Sequence, residues 1–495
     1  MARTTNRWIV LSVLCLALFV VALDATVLYV ALPALTEDMQ PTAVEALWIV
    51  DTYSLVIAGV LLTTGTLADR FGRDRMLIAG FAVFGAASAA VAFAPNPAVL
   101  IGARALLGVG GAMIMPPTLS IIRDVFTNPR ERSTAVGIWS SVAAGGAAVG
   151  PIIGGFLLEH YWWGSVFLIN VPVMAVGIVL GWWLLPRSRD PHPGRWDAPS
   201  ALISLVGILG VVYGVKKVGY YGLFDPRVFV PLILGALLLV WFVRRQLRLP
   251  TPLLDMSLFT QRAFSTAAGC AILATFGLVG VEMFLAQYFQ YVLGDSPLEA
   301  GFRLLPAMLA AMLSAPLTGA IIHRYGPRAA VVLGFAAISM SFALFSYEGR
   351  DASGWLIAFI LVGMGSGAAV ALTASSDTII TVAPRAKAGA AAAVDETSYE
   401  LGIGLGVAVL GSLMSELYSN RLGDVPGVSG EDLDDAQESI GNAAHVADSL
   451  PARLADPLMS AAQEAFTSSL MTTMAASAAI LALAALLAGV LFPRK

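Results

Sequence analysis

Acidic side chains set inside long apolar runs suit one kind of chemistry: holding protons and cations within hydrocarbon. The runs of this chain contain Asp24, Asp51, Glu282, Asp395, Glu396 and Glu400 against Arg104 and, near a run's edge, Arg303. An ionisable group in a membrane is costly, so each is a functional candidate by default. The excess of acids predicts a cavity that attracts protons and positively charged substrates rather than anions. Glu396 and Glu400 lie at i and i+4, which stacks them on one helix face. Two carboxylates so close in a low-dielectric site cannot both stay ionised cheaply. Such a pair suits a group that loads a proton at one face and releases it at the other. The plainer alternative is that this helix end dips into water, which suits Asp395 best and Glu400 least. Glu282 fits the cavity or its outer mouth equally well. Phe284, Tyr288 and Phe289 follow it, and aromatic faces near carboxylates seat lipophilic cations. Singly, each aromatic fits an interfacial belt as well.

These residues need a frame, and composition supplies it. The chain has 495 residues, of which 58% are hydrophobic and 13% charged. A mean hydropathy of +0.79 cannot be spread over water-facing surfaces, so the fold class is an all-α polytopic membrane protein. The net charge of −4 argues against nucleic acid as a partner. Cys15 and Cys270 lie in apolar runs and read as small core residues. His160, His192, His323 and His445 fall at loops or span ends, so no metal site is expected. No cofactor is expected beyond protons as the coupling ion. The first apolar run reads as a retained span, not a cleaved signal peptide. There is no G-x-x-x-x-G-K-[ST] phosphate loop, no H-E-x-x-H and no Ser/His/Asp signature, which disfavours ATP drive and enzymatic chemistry.

A span needs about 20 apolar residues. Fourteen runs qualify: 8–32, 48–67, 76–94, 98–119, 134–158, 166–185, 199–215, 228–243, 263–291, 301–322, 329–347, 355–374, 388–413 and 467–492. With both termini inside, most lysines and arginines fall in cytoplasmic segments, as the positive-inside rule requires. Lys216 and Lys217 form the one outside cluster that strains this count. Asp24, Asp51 and Arg104 then lie at depths compatible with one polar cluster. There, Asp24 and Arg104 would either contact substrate or form a structural ion pair tying spans 1 and 4. An internal echo sets the plan. Gly65, Arg70, Phe71 and Gly72 align with Gly319, Arg324, Tyr325 and Gly326, and Gly108 and Gly110 align with Gly363 and Gly365. The first echo links span 2 to span 10, the second span 4 to span 12. This predicts an N-terminal six-helix bundle at 1–190, two inserted helices at 191–260 and a C-terminal six-helix bundle at 261–495. The one long loop, 414–466, is acidic and expected outside. Ser429 reads as a helix N-cap there, and Pro451 as a separator of two short helices. A solvated linker is the plainer alternative.

Several motifs carry a family resemblance. Gly65-Thr66-Leu67-Ala68-Asp69-Arg70-Phe71-Gly72-Arg73 resembles the loop 2–3 signature of the major facilitator superfamily. Leu23-Asp24-Ala25-Thr26-Val27, Trp48-Ile49-Val50-Asp51-Thr52-Tyr53-Ser54-Leu55 and Phe167-Leu168-Ile169-Asn170-Val171-Pro172 resemble its fourteen-helix drug:proton antiporters of the quaternary-ammonium branch. Arg104 with Gly108, the stretch Gly146 to Gly155 with Gly150-Pro151, Gln287-Tyr288-Phe289-Gln290, and Ala393 to Gly402 are similar to the same group. Tyr29 and Gly164 depart from it, where many relatives have Asn and Arg.

The resemblance implies a major facilitator fold and a proton-coupled multidrug efflux antiporter in a bacterial cell membrane. It would export lipophilic, mainly cationic antimicrobials such as quaternary ammonium compounds and dyes, as a monomer among lipids. Tyr53 joins the acids and Arg104 as a candidate contact. Gly65, Asp69, Arg70, Gly72 and Arg73 would form a cytoplasmic latch, with Asp69 engaging Arg73 or Arg132. The second copy has His323 in place of Asp69, so it would lack that latch. Gly146, Gly150, Pro151, Gly154 and Gly155 would form a conformational seam, although a glycine-rich span also serves generic packing. Two rivals stand beside this reading: a dedicated exporter of one natural product, and a non-transporting membrane sensor or membrane-embedded enzyme.

Overall fold

The computed structural model describes residues 6–187, 197–222, 224–250, 252–349, 353–383, 388–428 and 430–492; at some helical positions, among them 69 and 132, the side chain falls outside the description. The helices in chain order are α1 (Arg7–Met39), α2 (Ala43–Phe71), α3 (Arg73–Ala92), α4 (Pro97–Val125), α5 (Pro129–His160), α6 (Ser165–Leu168), α7 (Asn170–Leu184), α8 (Ala198–Tyr221), α9 (Pro226–Gln246), α10 (Arg262–Gln287), α11 (Pro297–Tyr325), α12 (Pro327–Glu348), α13 (Gly354–Val382), α14 (Ala388–Leu422), α15 (Gly430–Glu438), α16 (Ile440–Ser449) and α17 (Ala452–Leu491). Among the described residues, thirteen helical stretches are long and apolar enough to cross a membrane. Helix α5 occupies the fifth of the fourteen positions read from sequence. The chain is an all-α, multi-pass membrane protein.

The echo in the sequence reappears as an echo in packing. In the first half α1 packs on α5, α2 on α4, and α3 on both α4 and α7. In the second, α10 packs on α14, α11 on α13, and α12 on both α13 and α17. The halves meet where α2 lies on α14 and α5 on α11. Helices α8 and α9 pack on each other, and α8 also lies against α2 and α14.

Local chemistry explains the helix ends. Thr42 with Glu45, and Ser296 with Glu299, form capping boxes that start α2 and α11, each satisfying amide donors at a helix start. The repeated Arg-aromatic-Gly marks the other ends. Gly72 has φ 112° and Gly326 φ 85°, conformations open to glycine and strained for other residues. The amide of each donates to a carbonyl of the last turn of its helix, Ala68 and Ile322, and the chain turns into the next helix.

Three segments depart from the sequence reading. The sixth span is broken at Ile169 into α6 and α7. The last span starts at Ala452, not 467. The short helices of the long loop are separated at Ser439, which caps α16 by accepting from the Asn442 amide, while Pro451 opens α17. Ser429, the expected cap, lies outside the described residues. This hairpin is seated on the bundle: Tyr418 Oη donates to the Ala436 carbonyl at 3.1 Å, and the Ala43 amide donates to Glu438 at 3.1 Å. Burial of the Glu438 carboxyl pushes its pKa up despite that amide.

The glycines of α5 allow backbone-close packing. A Cβ on Gly146 would lie 2.6 Å from the Phe19 carbonyl, and one on Gly154 would lie 2.6 Å from Val27, both on α1. Gly150 sits directly against Thr26. Gly155 instead faces α11 across the halves, where a Cβ would lie 2.6 Å from Leu298 Cα. Pro151 removes the amide that would bond Ala147, and the Thr26 hydroxyl fills that role, donating to the Ala147 carbonyl at 3.0 Å.

Gly72→Ala should cost about 1–3 kcal/mol, the usual penalty for a side chain in a glycine-only conformation. Thermal unfolding of the purified protein in detergent checks this. A melting temperature equal to the parent's would show that the turn relaxes without strain.

Candidate functional site

The first cluster lies between α1, α4 and α7. Asp24 Oδ2 is 3.1 Å from Arg104 Nη1, and Asp24 Oδ1 accepts from Asn170 Nδ2 at 2.8 Å. Asn170 Nδ2 also reaches Ser88 Oγ at 3.2 Å. The remaining donors of Arg104 bond the backbone of α2: Nε to the Ile49 carbonyl at 3.0 Å and Nη2 to the Val50 carbonyl at 3.2 Å. Its guanidinium lies over the Tyr53 ring at 4.9 Å and the Phe167 ring at 5.9 Å. Asp24, Arg104 and Asn170 are all at most 1% exposed. Of the roles open to Asp24 and Arg104, the geometry is that of an ion pair tying the helices.

Asp51 lies within electrostatic reach of Arg104, but its ion-pair partner is on another helix. Its Oδ1 is 2.8 Å from Lys216 Nζ on α8, with both side chains fully buried. This corrects one expectation. Lys216 is not in an outside loop, because α8 runs on to Tyr221. Asp51 pairs with that lysine, while Arg104 pairs with Asp24. The Lys216 ammonium also lies 3.9 Å from the Trp48 ring centroid.

The third cluster is acidic. Glu400 is 6% exposed and has Ser54 of α2 within electrostatic reach; its Oε2 has no hydrogen-bond partner among the described residues. Asp395 accepts from Ser376 Oγ on α13 at 2.9 Å. Glu282 and Glu396 are half-buried. Tyr29 lies within electrostatic reach of Glu282, Glu400 and Arg104, and Tyr399 within reach of Glu282, Glu396 and Glu400. The tyrosines thus bridge the acids of the second half and the ion pair of the first. Among the described residues, no basic side chain pairs with Glu282, Asp395, Glu396 or Glu400.

Other candidates fall elsewhere. Arg303 is neutralised by Asp295. Tyr288 and Phe289 are packed core residues, and the Tyr288 ring meets Phe345 at 5.6 Å, edge to face. They fill the second half, and the cation over the Phe289 ring is the Arg303 guanidinium, 5.9 Å from its centroid. At the repeated loop, Arg73 pairs with Asp124 at the end of α4, 2.6 Å apart. The side chains of Asp69 and Arg132, the expected partners there, lie outside the described residues. Arg70 is exposed, and Gly65 is half-buried beside Pro116. Sequence reasoning named neither Asn170, Ser88, Ser54 nor Lys216 as site residues. Asn170 had a signal, being the polar residue of the Phe-Leu-Ile-Asn-Val-Pro motif and the first residue after the break at Ile169.

The description "Major Facilitator Superfamily" belongs to the family model that matches residues 14–407. The chain belongs to the major facilitator superfamily. It is 42% identical to the multidrug efflux pump LfrA of Mycolicibacterium smegmatis, over 99% of this chain and 97% of that protein. It is 40% identical to the methyl viologen resistance protein SmvA of Salmonella typhimurium over 93% of each. It is 32% identical to a tetracenomycin C resistance and export protein of Streptomyces glaucescens, over 99% and 92%. Among solved structures, an inward-facing bacterial homologue of the human lysosomal transporter Spinster shares the fold. Its TM-score is 0.68 at 19% identity, over 98% of this chain and 97% of that one. Membership of this transporter family leaves the membrane-embedded enzyme without support.

Removing one member of a buried ion pair strands the other, at about 3–5 kcal/mol. Arg104→Met should therefore lower the folded yield and melting temperature in detergent sharply. The double variant Asp24→Asn/Arg104→Met should recover most of the loss. A double variant no better than Arg104→Met would mean that the arginine's bonds to Ile49 and Val50 matter more than the pair.

Proposed function

We propose that the chain exports lipophilic, mainly cationic antimicrobial compounds, quaternary ammonium compounds and dyes among them, in exchange for inward-moving protons. It would do so as a monomer in the plasma membrane of a bacterium, with both termini in the cytoplasm. The observation that carries this reading is the charge balance in the bundle. Arg104, Lys216 and Arg303 are each matched to an acid, and the acids left over, Glu282, Asp395, Glu396 and Glu400, face no described base. A site whose surplus is wholly acidic takes up protons or organic cations. The relatives named for multidrug efflux and for methyl viologen resistance support the same class of cargo.

The cycle follows from competition. Substrate and protons seek the same carboxylates, so protonation from outside expels the cation and deprotonation inside restores the site. Each inward elementary charge gains about 2.3 kcal/mol per 100 mV of membrane potential. With the arginine-rich loops in the cytoplasm, the end bearing α15 and α16 is the outer one. Contacts between the halves close that end: Ser296 donates to Glu159 at 2.7 Å, and Tyr291 donates to the Pro33 carbonyl at 3.2 Å. The state is then closed to the outside. Gly65, Asp69, Arg70, Gly72, Arg73 and Arg132 would control the cytoplasmic end, and Gly146 to Gly155 would be the surface along which α5 shifts. The tetracenomycin C relative keeps a dedicated natural-product exporter as the second reading, and a panel of unrelated cations separates the two.

Glu400 carries the coupling proton in this scheme, coupled to Glu396 one turn away so that the two titrate as a pair. In everted vesicles, ethidium uptake driven by a pH gradient should fall roughly tenfold or more in Glu400→Gln, as expected for a lost proton-transfer group. Purified Glu400→Gln should also release fewer protons than the parent when substrate is added, measured with a pH dye. If Glu396→Gln and Glu400→Gln both release as many protons as the parent, α14 is not the proton site. If the parent itself moves no dye under a gradient, the export reading fails.

A further inference from the structure

Lys216 is the buried charge for which the family-wide plan of two six-helix halves leaves no place, since it sits on one of the two inserted helices. Its surroundings are those of a bound organic cation: the Asp51 carboxylate on one side at 2.8 Å and the Trp48 ring on the other at 3.9 Å. Carboxylate plus aromatic face is the usual cage for an ammonium group. Tyr213, one turn earlier on α8, lies beside Trp48, with ring centroids 6.4 Å apart. The second carboxylate oxygen, Asp51 Oδ2, is buried and has no hydrogen-bond partner among the described residues.

The position of α8 makes this arrangement depend on the state of the bundle. Val212 packs in one small apolar cluster with Leu55 of α2 and Ala408 of α14. A Cβ on Gly59 of α2 would lie 2.5 Å from a methyl of Leu205, so α8 rides directly on α2. The α2–α14 contact is one of the two seams between the halves. If that seam opens, α8 cannot keep both neighbours. Asp51 also stands one turn before Ser54, the residue of α2 within electrostatic reach of Glu400. The carboxylate held by the lysine and the carboxylate left for protons thus border the same short stretch of α2.

We propose that Lys216 is a tethered cation that occupies Asp51 in this state and competes for it with the positive charge of a substrate. The inserted helix α8 thereby sets the charge selectivity of the binding site. A singly charged substrate is satisfied by the acids of α14 and α10. A doubly charged one needs a further carboxylate, and Asp51 serves only when the lysine withdraws. Lys216 acts here as a specificity-determining residue. The inference rests on the cation-export reading given above.

The test uses the purified full-length protein and two probes: ethidium, with one charge, and methyl viologen, with two, the latter by displacement of ethidium fluorescence. Lys216→Met should tighten methyl viologen relative to ethidium by about fivefold or more, the scale of one charge interaction in a partly screened site. Asp51→Asn leaves the ammonium unopposed and should shift the same ratio the other way. Adding Lys216→Met to Asp51→Asn should restore methyl viologen binding more than ethidium binding. That comparison leaves no buried carboxylate stranded, so it decides the matter even if Lys216→Met alone fails to fold. Lys216→Arg should keep the parental ratio. An affinity ratio unchanged across these variants would reduce the pair to a structural tie and overturn the inference while the export reading stands. A parent that binds neither probe would overturn both.

Discussion

A charge inside hydrocarbon has to be matched or neutralised, and that constraint shapes this molecule. Arg104 is fully buried, and its guanidinium donors reach Asp24, the Ile49 carbonyl and the Val50 carbonyl. Asn170 then takes up the other oxygen of Asp24. Lys216 is matched by Asp51 across 165 residues of sequence. These pairings hold the first half and α8 in place, but they also act by subtraction. Once the bases are used, what remains in the membrane is acidic. The surplus on α10 and α14 is meaningful because the first half has already absorbed its own charges.

The two halves share one packing plan but not one chemistry. In the first, acids are fixed by bases and amides on neighbouring helices. In the second, Asp395 accepts from a serine and Glu400 has one within reach, both neutral hydroxyls that can also accept. A carboxylate held by a hydroxyl can gain or lose a proton without stranding an opposite charge. One held by a guanidinium cannot. The asymmetry sets fixed, paired charges on α1 and α4 apart from carboxylates on α14 that face no described base. Tyr29 and Tyr53 stand between the two sets, each within electrostatic reach of Glu400 and Arg104.

Much of this was legible in sequence because hydrocarbon is an unforgiving solvent. The helices, the repeat and the acidic surplus follow from hydropathy, glycine position and charge count. What escaped were partners set by tertiary approach. Lys216 read as a loop residue because Lys216 and Lys217 together end the apolar run, and nothing local shows that Asp51 waits beside it. Tyr288 and Phe289 read as cation seats because composition cannot tell a packed ring from one lining a cavity. Ser439 instead of Pro451 divides the hairpin because its side chain caps the start of α16, a position that serine favours. The Arg73–Asp124 pair went unread because Asp124 at the end of α4 is a neighbour only in the fold.

The stretch Ile49 to Ser54 of α2 brings these strands together. Its backbone carbonyls hold Arg104, its aspartate holds Lys216, its tyrosine lies under the guanidinium, and its serine reaches Glu400. Within about two helical turns, α2 touches the fixed charges of the first half, the inserted helix and the acids of the second half. It is also a helix of the seam between the halves, where Gly404 and Gly411 of α14 admit Leu55 and Leu47 at close range. A relative movement of the halves therefore cannot leave these charges undisturbed: sliding α2 against α14 must strain the Ser54–Glu400 contact, the α8 contact, or both. Conversely, a change of protonation at Glu400 alters the attraction across that seam. Coupling between charge and shape needs no long pathway here, because the residues that carry the charge are the residues that form the seam.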